Sequence, residues 1–330
     1  MKSKKLMGTL GVILLFLVFA FFTEKKEDQA ADIPTIGVLQ YVSHPALDLI
    51  YDGIQEGLKE KGYEDGKNLH IAFQNGQADQ SKLATMSQQL IQKNAVVLIG
   101  IATPAAQALA NTTAEIPIVL GAITDPVSAG LVESNEKPGG NITGVSDKSP
   151  VGSQFDLALS LLPEAKKVGI LYSSSEENSK YQAAEAEQAA QALALSAKSY
   201  VVPSSNEITQ TVQVMSREVD FIYIPTDNTI ANAMQTVVNE ANKTQTPIIP
   251  SVDTMVADGG LATVGINQFD LGVQTGRMAA DILSGTSDPA TTPVYTFTTG
   301  DVIINEAQAK KLGITIPDTI LKEATIVGEE

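Results

Sequence analysis

The segment Ile116–Ser146 reads IPIVLGAITDPVSAGLVESNEKPGGNITGVS, and it says most about the fold. Its apolar run Ile118–Leu120 predicts a short strand that leads into the polar turn Thr124–Pro126. A glycine-containing turn at Pro138–Asn141 precedes a second strand, which passes through Gly144. In α/β sheets, ligands bind beyond strand ends that open into small polar residues. We therefore expect a binding site beside this segment.

Short apolar runs alternate with helical stretches along the rest of the chain. Strands are predicted at Thr35–Leu39, Leu69–Phe73, Val96–Ile99 and Ile118–Leu120, then at Lys167–Tyr172, Lys198–Val202, Phe221–Ile224 and Pro247–Ile249, and finally at Leu261–Gly265, Val294–Thr298 and Val302–Ile304. Helices are predicted at Ala46–Glu60, Ser81–Gln92, Pro104–Asn111, Ser153–Leu162, Ser179–Leu195, Thr209–Arg217, Thr229–Asn242 and Gln268–Leu283. This alternation predicts an α/β protein of two similar lobes, each a parallel sheet with helices on both faces.

The composition is that of an acidic globular protein. The chain has 330 residues, which is enough for two domains, and 43% of them are hydrophobic while 18% are charged. The net charge is −16, and the only basic cluster is formed by Lys2, Lys4 and Lys5. Nucleic-acid binding needs a basic surface, so the sequence argues against it.

The N-terminus is expected to be an export signal or a signal anchor, not a part of the fold. Three lysines precede the uncharged run Leu6–Phe22, and a charged stretch follows at Glu24–Asp28. The run is just long enough to span a bilayer. The chain has no cysteine, which excludes lipid anchoring through an N-terminal cysteine. We favour an uncleaved anchor over residues 1–31 with the body outside the cell; cleavage near Ala30 and Ala31 is the alternative.

The sequence offers no catalytic centre. His44 and His70 are its only histidines, and the zinc-protease, nucleophile-elbow and P-loop motifs are all missing. His44 has no second histidine or cysteine nearby that could share a metal. We therefore predict no catalytic residue, no metal site and no cofactor.

Small polar residues follow most of the predicted strands, and many of them precede a helix. Unpaired N–H groups at a helix N-terminus attract anions such as a carboxylate. Each of these residues could instead serve only as a helix cap. The residues expected to bind the ligand are Gln40, Tyr41, Val42, Ser43, Ala102, Thr103, Thr124, Ser174, Asn178, Thr226, Asp227, Asn228, Ser251 and Asn267.

Asp227 is the sharpest candidate in this set. It follows the apolar strand Phe221–Ile224 and could cap the helix that begins near Thr229. It could also supply the negative charge that a bound α-ammonium group requires. Asp125 and Asp253 compete for that role, although the turn at Asp125 is expected to be structural.

Three further motifs accompany Ile116–Ser146: His44–Asp48 (HPALD), Thr226–Asn228 (TDN) and Lys311–Pro317 (KLGITIP). In this order, the four motifs resemble the solute-binding proteins of ABC importers, in the subgroup often tied to tryptophan and other aromatic amino acids. The resemblance covers Ile33–Val327. It implies the type I periplasmic-binding-protein fold, whose lobes are joined by a hinge of three crossovers. Lobe 1 is then expected over 32–146 plus about 267–293, and lobe 2 over 147–266 plus about 294–330.

The resemblance also implies a function. It implies an extracytoplasmic, monomeric binding protein whose lobes close over an amino acid and deliver it to an ABC permease, with tryptophan or phenylalanine as the expected ligand. A pocket for the ring would use small and apolar groups, and Tyr41 could line it. A nucleoside or sugar is the closest rival ligand, although the absence of tryptophan argues modestly against a sugar. A sensory module is a second rival, but the chain begins with a membrane signal where a DNA-binding head would be needed.

Overall fold

The computed structural model describes residues 33–328. The predicted signal anchor over residues 1–31 lies outside this range and stays a prediction. Within residues 33–328, no helix has both the length and the apolarity that crossing a membrane requires.

Strands and helices alternate through the described residues. The strands are β1 (Thr35–Gln40), β2 (His70–Asn75), β3 (Ala95–Ile101), β4 (Ile118–Gly121), β5 (Ile142–Ser146), β6 (Lys167–Ser173), β7 (Ser196–Val202), β8 (Phe221–Ile224), β9 (Ile248–Pro250), β10 (Ala262–Gly265), β11 (Tyr295–Thr296), β12 (Asp301–Asn305) and β13 (Thr325–Val327). The helices are α1 (Pro45–Glu60), α2 (Gln80–Gln92), α3 (Thr103–Ala110), α4 (Val151–Leu161), α5 (Glu177–Ala192), α6 (Ile208–Met215), α7 (Asn228–Asn232), α8 (Met234–Asn242), α9 (Asp253–Ala257), α10 (Gln268–Leu283), α11 (Glu306–Leu312) and α12 (Asp318–Leu321).

Lobe 1 is built on a six-stranded sheet with the strand order β11-β5-β4-β3-β1-β2. Every neighbouring pair in this sheet is parallel. Strands β3 and β4 are almost entirely buried apolar runs, as expected where helices cover both faces of a parallel sheet. Helices α1, α2, α3 and α10 pack on this sheet.

Lobe 2 contains a four-stranded parallel sheet with the order β7-β6-β8-β9. It also contains a small sheet, β10-β12-β13, in which β10 and β12 run antiparallel. The buried aromatic ring of Phe155 lies against those of Phe221 and Tyr223 at the centre of this lobe. The predicted architecture of two α/β lobes built on parallel sheets is therefore confirmed, while the antiparallel pair is an addition that the sequence did not predict.

Helices α1 and α10 cross at close range because glycines line both sides of the crossing. A Cβ atom on Gly53 or Gly57 of α1 would overlap main-chain atoms of α10. A Cβ atom on Gly272 or Gly276 of α10 would likewise overlap main-chain atoms of α1. The crossing ties the returning helix α10 firmly to lobe 1.

Within residues 33–328 the chain passes between the lobes three times, after β5, after β10 and after β11. The third crossover, after β11, comes later in the chain than the boundary predicted near residue 293. Strand β11 pairs with β5 of lobe 1, so the predicted assignment of residues 294–296 to lobe 2 is wrong. The approach to β11 is also bound to lobe 1, because Thr143 Oγ1 donates to the Thr292 carbonyl (2.7 Å) and the Val294 N–H donates to the Asn135 carbonyl (2.7 Å).

Candidate functional site

A cavity lies between the two lobes, where the carboxyl ends of their parallel strands face each other. Its walls are formed by His44, Ala46, Leu47, Ala102, Thr103, Ala122, Thr124, Asp147 and Gln268 from one side, and by Asn178, Thr226, Asp227, Asn228, Ala231 and Val252 from the other. The centres of water-sized molecules can occupy about 20 Å³ of it, which is room for about one or two waters. A larger solute could therefore enter only if the lobes move apart.

The lobe 1 wall uses backbone conformations that side chains rarely adopt. Ala102, at the end of β3, has a φ of 72°, and Ala122, at the end of β4, has a φ of 60°. A left-handed conformation costs a non-glycine residue roughly 1 kcal/mol or more, and such strain clusters at functional sites. Both residues lie on the cavity wall.

Two helices of lobe 1 begin at the cavity without a side-chain cap. The residue before α1 is His44 and the residue before α3 is Ala102, and neither side chain accepts a hydrogen bond from the helix. By contrast, Asp79 caps α2 and Asn267 caps α10. The first N–H groups of α1 and α3 therefore have no side-chain acceptor within the described residues, and both helix dipoles direct positive potential toward the cavity.

The structure brings half of the predicted ligand-binding residues to this cavity. These are Ala102, Thr103, Thr124, Asn178, Thr226, Asp227 and Asn228. They come from the ends of β3, β4 and β8 and from the start of α5, which are the positions that the strand-end argument selected.

The predicted residues that follow β1 do not line the cavity. Gln40 Nε2 donates to the Asp48 carboxylate (2.7 Å) and to the Val42 carbonyl (2.8 Å), and Ser43 Oγ donates to the other Asp48 oxygen (2.7 Å). Tyr41 is buried and directs its hydroxyl to a main-chain carbonyl of the segment before α2. These residues fix the turn into α1, and they place His44 and Leu47, not themselves, on the wall.

Three other predicted residues also lie off the wall. Ser174 is exposed. Ser251 is buried one layer behind the wall, where its hydroxyl pairs with that of Thr226 (2.9 Å). Asn267 is exposed and accepts from the N–H of Asp270 (3.1 Å), so it acts as the cap of α10.

The wall also contains residues that the prediction did not select. They are His44, Ala46, Leu47, Ala122, Asp147, Ala231, Val252 and Gln268. His44, Ala122 and Val252 follow strands, so the strand-end argument covers them, although they were not among the residues expected to bind the ligand. Asp147 follows β5 directly, at the predicted boundary between the lobes. Gln268 and Ala46 lie at helix starts, and their polarity did not distinguish them as ligand-binding residues.

Asp227 is held by main-chain donors on both oxygens. One oxygen accepts from the Ile230 N–H (2.8 Å) and caps α7, and the other accepts from the Ser173 N–H (2.6 Å) at the end of β6. Burial, together with the nearby Glu176 carboxylate, raises the pKa of Asp227 above its usual range. The cap role that the sequence left open is therefore present, and Asp227 lines the cavity as well.

Glu176 anchors the start of α7 and, through Asn228, a contact between the lobes. Its buried carboxylate accepts from the N–H groups of Asn228 and Thr229, and from the side chains of both residues. Because the Asn228 amide nitrogen donates to Glu176, its oxygen is left to accept from His44 Nε2 (3.2 Å) across the cleft. Burial lowers the pKa of His44, which keeps the ring neutral at physiological pH.

A second hydrogen bond joins the lobes at the rim of the cleft. Gln80 Nε2, at the start of α2, donates to the carbonyl of Ser175 (2.7 Å), which precedes α5. Ala46 of α1 also packs into an apolar cluster of lobe 2. The lobes are thus in contact on both sides of the cavity, which is the closed arrangement of a hinged pair.

Two lobes on parallel sheets, three crossovers and a cavity between the strand ends define a type I periplasmic binding protein. The chain belongs to the family of ABC transporter substrate-binding proteins, whose model matches residues 35–327. Proteins of this family bind solutes outside the cytoplasm for ABC importers, and the predicted family is confirmed.

Individual relatives agree with this assignment. The chain is 37% identical to a tyrosine-binding protein of Clostridioides difficile, over 94% of this chain and 93% of the relative. The ABC domain of Streptococcus pneumoniae in complex with L-Trp is 52% identical, with a TM-score of 0.87 over 89% of this chain and 99% of that one. The ligand-free, open structure of a Clostridium difficile substrate-binding protein with adhesive properties is 36% identical, with a TM-score of 0.70 over 90% and 100%. The lower TM-score with the open structure agrees with the closed lobes seen here.

Proposed function

We propose that this protein binds a free aromatic amino acid between its lobes and delivers it to an ABC permease. The observation that carries the proposal is the cavity itself. It combines buried carboxylates, Asp147 and Asp227, with the uncapped starts of α1 and α3. A zwitterion needs a negative partner for its ammonium group and a positive one for its carboxylate. The relatives that bind tyrosine and tryptophan support the same class of ligand.

The ligand carboxylate is expected at the start of α3. The free N–H groups of the first turn and the hydroxyl of Thr103 can donate to it, and the helix dipole favours its charge. The start of α1 adds a second set of main-chain donors from the same lobe. A carboxylate held there would bind first to lobe 1, before the lobes close.

The ring of the ligand would lie among small side chains. The wall contains the alanines Ala46, Ala102, Ala122 and Ala231, together with Val252. Small side chains suit a flat ring, which would enter while the lobes are open and be enclosed when they close. An aromatic side chain buries about 150–250 Å² of surface, worth roughly 4–6 kcal/mol before entropic costs.

Calorimetric titration of the purified protein tests the proposal. Tryptophan, tyrosine or phenylalanine should bind, while the N-acetylated and decarboxylated analogues of the preferred ligand should bind about 30-fold to several-thousand-fold more weakly. Each analogue removes one charge of a buried pair, and such a loss typically costs roughly 2–5 kcal/mol. Equal binding of the analogues would overturn the proposal and favour a ligand that is not an amino acid.

Small-angle scattering gives a second readout of the same event. The radius of gyration should fall when the preferred amino acid is added, because the lobes close over it. The N-acetylated analogue at the same concentration is the control and should leave the radius unchanged. A radius that does not respond to a saturating amino acid would place the binding site outside the cleft.

We also propose that the native protein is a monomer held at the outer face of the cell membrane by its uncleaved N-terminal segment. Three lysines followed by the apolar run Leu6–Phe22 support an anchor. Native protein should remain in the membrane fraction and keep its N-terminus, as N-terminal sequencing would show. Finding only a shortened form in the medium would favour the cleaved alternative.

A further inference from the structure

Two buried oxygen atoms at the cavity have no hydrogen-bond donor among the described residues. One is Oδ1 of Asp147, from the crossover after β5, and the other is Oδ1 of Asn178, from the first turn of α5 in lobe 2. Both residues are more than nine-tenths buried, and both lie on the cavity wall. A buried acceptor without a donor is uncommon and costly, so each one needs an explanation.

The local contacts explain why each oxygen has no donor within the protein. Asn178 Nδ2 donates to the Thr226 carbonyl (2.8 Å), which defines the orientation of the amide and leaves its oxygen free. The Asp147 N–H donates to the Ile123 carbonyl (3.3 Å), and the Thr124 side chain lies beside the carboxylate. A flip of the Asn178 amide would cost its bond to the Thr226 carbonyl, and a flip of the Asp147 carboxylate only exchanges two equivalent oxygens.

The other carboxylates near the cleft are already supplied with donors. Both oxygens of Asp227 accept main-chain N–H groups, as described above. Asp253 stands at the start of α9 and accepts from the N–H of Thr254 (2.7 Å), and it does not line the cavity. Asp147 is thus the carboxylate on the wall that has an oxygen without a donor.

We propose that Asp147 and Asn178 together form the subsite for the α-ammonium group of the ligand. An ammonium group carries three donors and a positive charge, which suits two acceptors of which one is charged. One acceptor belongs to the crossover that leaves lobe 1, and the other belongs to lobe 2. The ammonium group then bridges the lobes, and its binding is coupled to their closure. This inference rests on the proposed function, because it assigns one group of a free amino acid.

Asp147→Asn is the central test. Calorimetry should show affinity for the preferred amino acid reduced by about 30-fold or more, because a buried ammonium loses its charged partner. Asn178→Ala should reduce the affinity by about tenfold. Asp258→Asn is the matched control: it makes the same substitution at a half-buried carboxylate whose pKa burial also raises, off the wall, and should leave affinity unchanged.

Selectivity separates a lost ammonium partner from general damage to the site. The probe is the des-amino analogue of the preferred ligand, for example indole-3-propionate in place of tryptophan. The wild type should prefer the amino acid to this analogue by about 30-fold or more, and Asp147→Asn should lose most of that preference. A variant that binds both molecules equally weakly, with the ratio preserved, would contradict the assignment.

Stability gives a readout that a purely structural aspartate would not produce. Burial raises the pKa of Asp147 to about 6, so its ionised form costs folding stability as the pH rises from about 4 through 6. The neutral amide removes this cost, and the empty Asp147→Asn protein should melt at a higher temperature than the wild type at pH 7.5. A lower melting temperature would indicate a structural role instead.

The outcomes distinguish this inference from the function on which it rests. If the wild type binds no free amino acid, the proposed function fails. If the wild type binds one and Asp147→Asn binds it equally well, only the subsite is wrong. If Asp227→Asn abolishes selectivity against the des-amino analogue while Asp147→Asn keeps it, the ammonium group lies at the cap of α7.

Discussion

Gly272→Ala should lower the free energy of unfolding by about 3 kcal/mol or more. The added Cβ would overlap the Ile50 carbonyl of α1, which is main chain and cannot move aside by changing a rotamer. Helices α1 and α10 would have to separate along a crossing that has glycines on both sides. Urea denaturation followed by far-UV circular dichroism measures the change.

Gly152→Ala is the matched control. Gly152 lies in the first turn of α4 and is exposed, and a Cβ there meets no atom within 4 Å. The same substitution should therefore raise stability by roughly 0.5–1 kcal/mol, because alanine favours a helix over glycine. A Gly272→Ala protein as stable as Gly152→Ala would contradict the close crossing.

The glycine crossing also has a consequence for binding. Leu47 lies in the first turn of α1, α10 begins at Gln268, and both residues lie on the cavity wall. A crossing that separates would move the two helix starts relative to each other. Gly272→Ala should thus weaken ligand binding as well, whereas Gly152→Ala should not.

The fold could be predicted because its signal is local and repeated. The buried runs of β3, β4 and β8 are apolar throughout, and turns or helix starts interrupt them at regular intervals. The pairing of strand β11 could not be predicted from this signal. It has only two residues, both exposed, so nothing in its sequence distinguishes pairing in lobe 1 from pairing in lobe 2. Its partner is set by the tertiary contacts of residues 290–294.

The site could be predicted only in part, for a related reason. The strand-end argument locates the loops but not the direction in which each side chain points. After β1, the polar side chains turn back to Asp48, and the wall is formed by the residues that follow them. Asp147 was missed because its importance depends on an oxygen that finds no donor, and only the assembled lobes reveal that.

Gln154→Leu should produce another large loss of stability, in lobe 2. Gln154 is fully buried in α4, accepts from the Tyr223 hydroxyl (2.7 Å), and donates to the carbonyls of Ser251 (3.2 Å) and Val264 (2.9 Å). Leucine has a similar volume but leaves these buried groups without their partner. An unsatisfied buried polar group costs about 1–3 kcal/mol, so we expect the free energy of unfolding to fall by about 3 kcal/mol or more.

A double-mutant cycle with Tyr223→Phe separates the hydrogen bond from the packing. Tyr223→Phe alone leaves the Gln154 oxygen without its donor and should cost about 1–2 kcal/mol. In Gln154→Leu/Tyr223→Phe both partners are apolar, so no hydroxyl remains buried and unpaired. Urea denaturation should therefore show the double variant to be about 1 kcal/mol more stable than the sum of the single changes predicts. Strictly additive free energies would mean that the two side chains act independently. The hydrogen bond from Gln154 to the Ser251 carbonyl, directly before the wall residue Val252, would then not depend on the bond to Tyr223.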